Sequence, residues 1–274
     1  MVEVNNHLMH VYSEGDGEKT FVFLAGGGTS SPLLDFKPLY CLLSDENRIA
    51  VVEKAGYGFS EITDSNRDIH TILHETREAL QQAKIEGPYI LVPLSMSGVE
   101  TLYWAQTYPE EVEAIIGLDM AVPSVYEEMD IPMPLIRLGE FIAKTGLIRW
   151  LPMLDGSDLM NNKVLKEEDK ALYEIVFYRR TLTKNMLNEV KEIKENARVV
   201  ERGDKPEVPM LLFVSNGEDT GFDSKLWTEL QQDFAKIYDQ EIIKLDASHY
   251  IHHTEFKKIA EEMDEFIERM SSRD

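Results

Sequence analysis

The stretch PYILVPLSMSGVETLYWAQTYP, residues 88–109, joins a short apolar run to a helical pattern through a single serine, Ser95. The run before the serine is continuously apolar, which is typical of a strand buried on both faces of a parallel sheet. Behind the serine, side chains at helical spacing follow, namely Val99, Leu102, Tyr103 and Gln106. Pro109 ends this pattern. The stretch therefore predicts a buried strand, a sharp turn at Ser95 and a helix.

A serine in such a turn is the arrangement called a nucleophile elbow, written G-x-S-x-G. Residues 93–97 read PLSMS, so proline and serine replace the two glycines. The glycines are needed because the nucleophile has a strained backbone that bulky neighbours would crowd. Ser97 is small enough for this position, and Pro93 lacks only a donor that a strand end need not use. Taken alone, a serine in a strand–helix turn is more often a helix cap than a nucleophile.

Other short apolar runs alternate with helical patterns along the chain. They are TFVFL, RIAVV, VEAIIGL, VPMLLFV and EIIKL. Strands that alternate with helices predict an α/β fold with a doubly wound, mostly parallel sheet. Between residues 122 and 203 the pattern is helical and rich in Met, Leu and Ile. We therefore expect a core of residues 1–121 and 204–274, with residues 122–203 inserted as a helical cap.

Composition excludes several functional classes. The 274 residues include 28 Lys+Arg against 50 Asp+Glu, and the net charge of −22 argues against nucleic-acid binding. Neither a signal-peptide pattern nor an apolar run of bilayer length is present, so we expect a cytoplasmic protein without membrane contact. The single cysteine excludes an intrachain disulfide. No H-E-x-x-H motif or cysteine pair indicates a metal, and no cofactor is predicted.

A serine hydroxyl needs a histidine that accepts its proton and later returns it to the leaving group. The segment EIIKLDASHYIHHTEF offers His249 directly after the last predicted strand. In a strand-elbow arrangement of this kind the histidine comes last in the chain. We expect the neighbouring His252 and His253 to begin the C-terminal helix or to line its surface.

An acyl-transfer site also needs backbone amides that stabilise an oxyanion. The run Gly26-Gly27-Gly28 follows the first long apolar strand, where one donor is expected. The predicted donors are the amides of Gly27 and Met96. A phosphate-binding loop is the alternative for the glycines, but the G-x-G-x-x-G spacing and the terminal Lys-Ser/Thr are missing.

Four segments together resemble the α/β-hydrolase fold family. FVFLAGGGTSS resembles its H-G-x segment with Ala25 in place of histidine, RIAVVEKAGYGFS its G-x-G-x-S loop, LVPLSMSG its L-V-G-H-S-M-G-G elbow, and SHYIHHTEF its G-H-x-x-x-x-E motif. The resemblance implies a cap between the sixth and seventh strands. It also implies ester-type chemistry, because the dehalogenases and epoxide hydrolases of the family use an aspartate where this chain has Ser95.

The sequence leaves open which acidic residue would orient His249. The family usually supplies it after the seventh strand in a G-x-x-D loop, which this chain lacks. Glu218 then lies at the equivalent position, with Asp219 beside it, whereas Asp119 follows the sixth strand, from which a minority of the family takes its acid. Asp119 and Glu218 carry equal weight, and Asp219 is third.

The predicted function is a serine hydrolase that cleaves a small, mostly apolar carboxylic ester or related acyl compound through an acyl-enzyme. Two alternatives remain: the same triad acting on carbon–carbon bonds as a hydrolase or lyase, and a non-catalytic small-molecule binder. The predicted partner is the acyl substrate. A homodimer stays open.

Overall fold

The computed structural model describes residues 1–128, 130–147 and 157–272, with Ser157 described by its backbone only. Eight strands of these ranges form one sheet in the order β1-β2-β4-β3-β5-β6-β7-β8. The first two strands pair antiparallel, as do β2 and β4, and all later pairs are parallel. The strands are β1 (Val2–Val4), β2 (His7–Glu14), β3 (Thr20–Leu24), β4 (Arg48–Glu53), β5 (Tyr89–Pro93), β6 (Val112–Leu118), β7 (Met210–Val214) and β8 (Glu241–Lys244).

Helices cover both faces of the sheet. In chain order they are α1 (Pro32–Asp35), α2 (Lys37–Leu43), α3 (Ile69–Gln82), α4 (Ser97–Thr107), α5 (Pro123–Glu128), α6 (Met133–Lys144), α7 (Ser157–Asn161), α8 (Glu167–Arg180), α9 (Lys184–Glu201), α10 (Ser224–Tyr238), α11 (Ile251–Thr254) and α12 (Phe256–Ser271). The predicted doubly wound, mostly parallel α/β sheet is thus confirmed. Among the described residues, no helix combines the length and the apolar character needed to cross a bilayer.

Alternate residues of the central strands serve two separate cores. In β3, Val22 and Leu24 join the apolar cluster beneath α3, α4 and α10, whereas Phe21 and Phe23 join the cluster beneath α2 and α12. All five residues of β3 are buried. This two-sided burial is why the strand sequence is continuously apolar rather than alternating. The sheet is therefore the central layer of the fold, and the site residues follow the ends of its strands.

The N-terminal strands β1 and β2 were not predicted from the sequence. The segment His7–Glu14 mixes polar and apolar residues without strict alternation and is only partly buried. Its register is set by antiparallel pairing with β4, from His10 opposite Glu53 to Glu14 opposite Ile49.

Helices α5–α9 lie between β6 and β7, where the sequence predicts the cap. The last of them, α9, is bound to the start of α3 through Asn196, which accepts a hydrogen bond from the Ile69 amide and donates one to the Arg67 carbonyl. The boundaries of the cap at residues 122 and 203 stay a prediction. Residues 129 and 148–156 of that segment lie outside the described ranges.

Candidate active site

Ser95 lies between the end of β5 and the start of α4, as the sequence predicts. Its backbone is left-handed, with φ = 51°. This conformation is unfavourable for any residue that has a side chain, and it is concentrated at functional sites. The turn is held by the Ser95 carbonyl, which accepts hydrogen bonds from the amides of Gly98 (2.9 Å) and Ala121 (2.8 Å). The residue is half-buried, unlike its fully buried neighbours in β5 and α4.

Ser97 shows how the elbow tolerates a residue other than glycine. Its side chain is buried, and its hydroxyl lies 2.6 Å from the Leu24 carbonyl oxygen and 2.8 Å from that of Leu94. The hydroxyl therefore ties the elbow to the end of β3. Gly98 has no such room, because a Cβ there would lie 2.4 Å from the Ala121 carbonyl oxygen.

The glycine run after β3 lies directly against the elbow. A Cβ on Gly26 would lie 2.8 Å from the Ser95 Cβ, and one on Gly27 would lie 2.9 Å from the Met96 Cε. Among the described residues, no acceptor takes a hydrogen bond from the amide of Gly27 or of Met96. Both predicted oxyanion donors are therefore available beside Ser95.

Tyr57 lies between the glycine run and α9. Its hydroxyl is close to the Gly28 amide and donates a hydrogen bond to the carboxylate of Glu189 in α9. Lys54 Nζ lies 3.3 Å from the same carboxylate oxygen of Glu189. All three side chains are buried. This connection between the glycine run and α9 was not predicted from the sequence, because its members are distant in the chain.

Asp119 follows β6 and is fully buried. Its carboxylate accepts hydrogen bonds from the Ser215 amide and hydroxyl at 2.9 and 2.8 Å, from Trp227 Nε1 at 3.1 Å and from Gln231 Nε2 at 3.0 Å. His249 Nδ1 lies 2.6 Å from Oδ2. Burial raises the pKa of the Asp119 carboxyl, but the His249 contact and the Ser215 and Gln231 hydrogen bonds outweigh burial, so the pKa is lowered from its usual value. The buried group is therefore an anion.

His249 lies in the loop between β8 and α11 and is nearly buried. Its ring meets the Trp227 indole edge-on, with the ring centres 5.4 Å apart. Asp119 binds Nδ1, and Nε2 has no hydrogen-bond partner among the described residues. No hydrogen bond joins Ser95 to His249, both of which lie in the described ranges. Such contacts are often long in the absence of substrate.

Glu218 and Asp219 lie beside this arrangement but do not enter it. The Glu218 main-chain carbonyl accepts a hydrogen bond from the His249 amide at 2.9 Å. Its side chain is exposed, and its carboxylate accepts instead from Asn216 Nδ2 at 3.2 Å. Asp219 is also exposed. Of the three candidate acids, the structure brings the carboxylate of Asp119 alone to the His249 ring.

The expectation that His252 and His253 line the surface of the C-terminal helix was wrong. Both side chains are buried in the short helix α11. His252 Nε2 lies 2.9 Å from Asp35 Oδ2, and His253 Nε2 lies 3.0 Å from Asp35 Oδ1. Burial lowers the pKa of His252 to about 4. The sequence did not reveal the cluster, because Asp35 is more than two hundred residues away.

Comparison with known proteins identifies a relative that covers most of the chain. No family model matches the sequence. The uncharacterized protein YbdG of Bacillus subtilis (strain 168) is 32% identical over 260 residues, which cover 92% of this chain and 80% of YbdG. At this identity and coverage the two proteins belong to one family.

Solved structures share the fold. An epoxide hydrolase from Vigna radiata superposes with a TM-score of 0.72 at 18% identity, covering 98% of this chain and 96% of that one. An enol-lactonase from Burkholderia xenovorans LB400 gives a TM-score of 0.65 at 17% identity, covering 96% and 98%. The chain has the α/β-hydrolase fold. The resemblance seen in four sequence segments is thus confirmed.

In this fold, the predicted site residues follow three strands of the sheet, with Ser95 after β5, Asp119 after β6 and His249 after β8. The carboxyl ends of parallel strands meet at one edge, where such folds bind ligands. Sequence reasoning missed the partners of Asp119, namely Ser215, Trp227 and Gln231. Only the polar Ser215 directly after β7 gave a signal that could have found them.

Proposed function

We propose that this protein is a serine hydrolase that cleaves a small, mostly apolar carboxylic ester or related acyl compound. The observation that carries the proposal is the contact between His249 Nδ1 and the buried Asp119 carboxylate, close to a serine in an elbow conformation. A carboxylate at Nδ1 holds the imidazole in the tautomer whose Nε2 can accept a proton, and it stabilises the imidazolium that forms.

The proposed reaction uses the chain's own groups throughout. His249 Nε2 takes the proton from Ser95 Oγ while Oγ attacks the substrate carbonyl carbon. The Gly27 and Met96 amides stabilise the resulting oxyanion. His249 then gives the proton to the departing alcohol, which leaves an acyl-enzyme. Water, deprotonated by the same imidazole, releases the carboxylic acid and restores the Ser95 hydroxyl.

The choice of an ester rests on the residue at the elbow. Ser95 stands where epoxide hydrolases and dehalogenases of the fold carry an aspartate, and a serine forms an acyl-enzyme with a carbonyl compound. One similar structure is an enol-lactonase, whose substrate class is a cyclic ester. The buried surroundings of the elbow, among them Leu94 and Met96, favour a substrate with an apolar acyl group.

The test is labelling with a fluorophosphonate, which reacts with activated serines, together with turnover of short p-nitrophenyl esters. We expect labelling and turnover in the wild type and in Ser13→Ala, a control at an exposed serine of β2, and neither in Ser95→Ala. Wild-type protein that is unlabelled and no faster than Ser95→Ala would identify a binding protein. Labelling without ester turnover would indicate action of the triad on another bond.

A further inference from the structure

Three buried side chains with metal-binding atoms meet close to the proposed active site. They are Asp35, the last residue of α1, and the adjacent His252 and His253 of α11. One ligand atom from each lies within 4.8 Å of the others. The two imidazoles present the same ring nitrogen, Nε2, to the carboxylate, at 2.9 and 3.0 Å.

The donor set suits a first-row transition metal. Imidazole nitrogens and a carboxylate oxygen are the usual ligands of zinc and of iron(II), each bound at about 2.0–2.2 Å. Ligand atoms that share one ion lie roughly 3–4 Å apart at such bond lengths. The present spacing therefore needs only small side-chain movements to accept an ion in place of the hydrogen-bonding protons.

Among the described residues, only the two histidines can form ion pairs with the Asp35 carboxylate. The carboxylate is buried, and no lysine or arginine of the described ranges forms an ion pair with it. Buried carboxylates are normally paired with a cation or coordinate a metal. The nearby Lys37 is engaged elsewhere, since its Nζ lies 2.7 Å from Asp169 Oδ1.

The surrounding side chains hold the ligands in position. Phe36 packs against the His252 ring with the ring centres 5.1 Å apart, and Tyr250 stacks on His253 at 5.3 Å with an angle of 10° between the planes. Asn162 Nδ2 donates to the His253 carbonyl at 2.8 Å. Nδ1 of His252 is buried and has no hydrogen-bond partner among the described residues, whereas Nε2 faces the Asp35 carboxylate.

We propose that Asp35, His252 and His253 form a binding site for a divalent transition-metal ion, with zinc as the first candidate. The three side chains leave at least one coordination position for water. The ion would hold α1 to α11 and thereby stabilise the loop that carries His249, three residues before His252. This proposal is independent of the proposed hydrolase activity, because it requires neither Ser95 nor substrate.

The test is metal stoichiometry after removal of metal with a chelator and addition of zinc, measured by mass spectrometry and by a calorimetric titration. We expect one zinc per wild-type chain and a thermal midpoint that rises with zinc concentration. In Asp35→Asn and His253→Gln the affinity should fall by roughly 100-fold or more. Cobalt binding tests the site without any variant. The visible absorption of cobalt bound to the wild type should indicate nitrogen and oxygen ligands, and it should disappear when zinc displaces the cobalt.

Two histidine variants serve as controls that should keep the site. His74→Gln removes an imidazole that is 61% exposed on α3, and His249→Gln removes the one bound to Asp119. Both should bind one zinc with wild-type affinity. Absence of saturable zinc and cobalt binding to the wild type would overturn the proposal and leave a hydrogen-bonded cluster. Loss of binding in His249→Gln would overturn it as well, because the ion would then lie at the triad.

Discussion

The Nδ1 atom of His249 lies 2.6 Å from the Oδ2 atom of Asp119, although 130 positions separate the two residues in the chain. The contact is made by a histidine after β8 and an acid after β6. Ser215, Trp227 and Gln231 donate the remaining hydrogen bonds to the carboxylate, so Asp119 cannot turn away from the ring without breaking them. An acid that is fixed in this way can orient the imidazole before substrate binds.

Replacing each of the two leading acid candidates by its amide should separate their roles. Asp119→Asn removes the charge that stabilises the imidazolium and permits the wrong tautomer of His249, so kcat on a short p-nitrophenyl ester should fall by about 10⁴-fold. Glu218→Gln is the matched control, because its carboxylate does not contact the ring, and kcat should change little. Circular dichroism of both variants would verify folding. Similar mild losses in the two variants would contradict the role of Asp119.

The lowered pKa of Asp119 predicts the pH dependence of its contribution to stability. In the unfolded chain this carboxyl titrates near its ordinary value of about 3.9, so the folded state binds the proton only at lower pH. The ionised group therefore stabilises the fold above that value, and the stabilisation is lost as the pH falls through the folded pKa. In urea unfolding, wild type should exceed Asp119→Asn by a constant free energy from about pH 5 to 7, and the difference should shrink in acid. A difference that grew on acidification would have the wrong sign.

Most of the central sheet could be predicted from the sequence because its strands are buried on both faces. A segment such as residues 89–93 is continuously apolar for this reason, and the helices on either side follow a regular spacing. The strands β1 and β2 have no such signal, because several of their residues are only partly buried or exposed. Their place in the sheet depends on pairing with β4, which is a tertiary contact.

The site was predictable only as far as local patterns extend. Ser95 and His249 each follow a recognisable strand, whereas the choice between Asp119 and Glu218 depends on which carboxylate reaches an imidazole in three dimensions. Both acids follow a strand of the sheet, and the structure brings the Glu218 backbone rather than its side chain to His249. The burial of His252 and His253 was missed for the same reason, because it depends on Asp35 in a distant helix.

Steric crowding between the glycine run and the elbow predicts the effect of a single methyl group. In Gly26→Ala the new Cβ would lie 2.8 Å from the Ser95 Cβ and 3.0 Å from the Leu94 carbonyl oxygen, so the backbone must move. Because the movement displaces the adjacent Gly27 amide, kcat should fall by about 10²- to 10³-fold, as on loss of an oxyanion donor. Gly221→Ala is the control: it is left-handed at φ = 79° with open space around it, and it should cost only about 1–2 kcal/mol of stability. An active Gly26→Ala enzyme would show that this loop does not hold the oxyanion.

The Tyr57 hydroxyl connects the glycine run to α9, and its removal tests whether that connection supports catalysis. Tyr57→Phe removes the hydroxyl beside the Gly28 amide and leaves the buried Glu189 carboxylate without one donor, which should cost about 1–3 kcal/mol of unfolding free energy. A loosened glycine run should also misplace the neighbouring Gly27 amide, so kcat should fall by as much as about 100-fold while KM changes little.

Tyr103→Phe is the matched control for this variant, since the Tyr103 hydroxyl meets the His70 ring at the exposed edge of α4. It should leave both stability and turnover close to those of the wild type. If Tyr57→Phe lost stability but kept its kcat, the hydroxyl would serve only to satisfy the buried Glu189. The position of the glycine run would then depend only on its contact with the elbow, where Gly26 packs against Ser95.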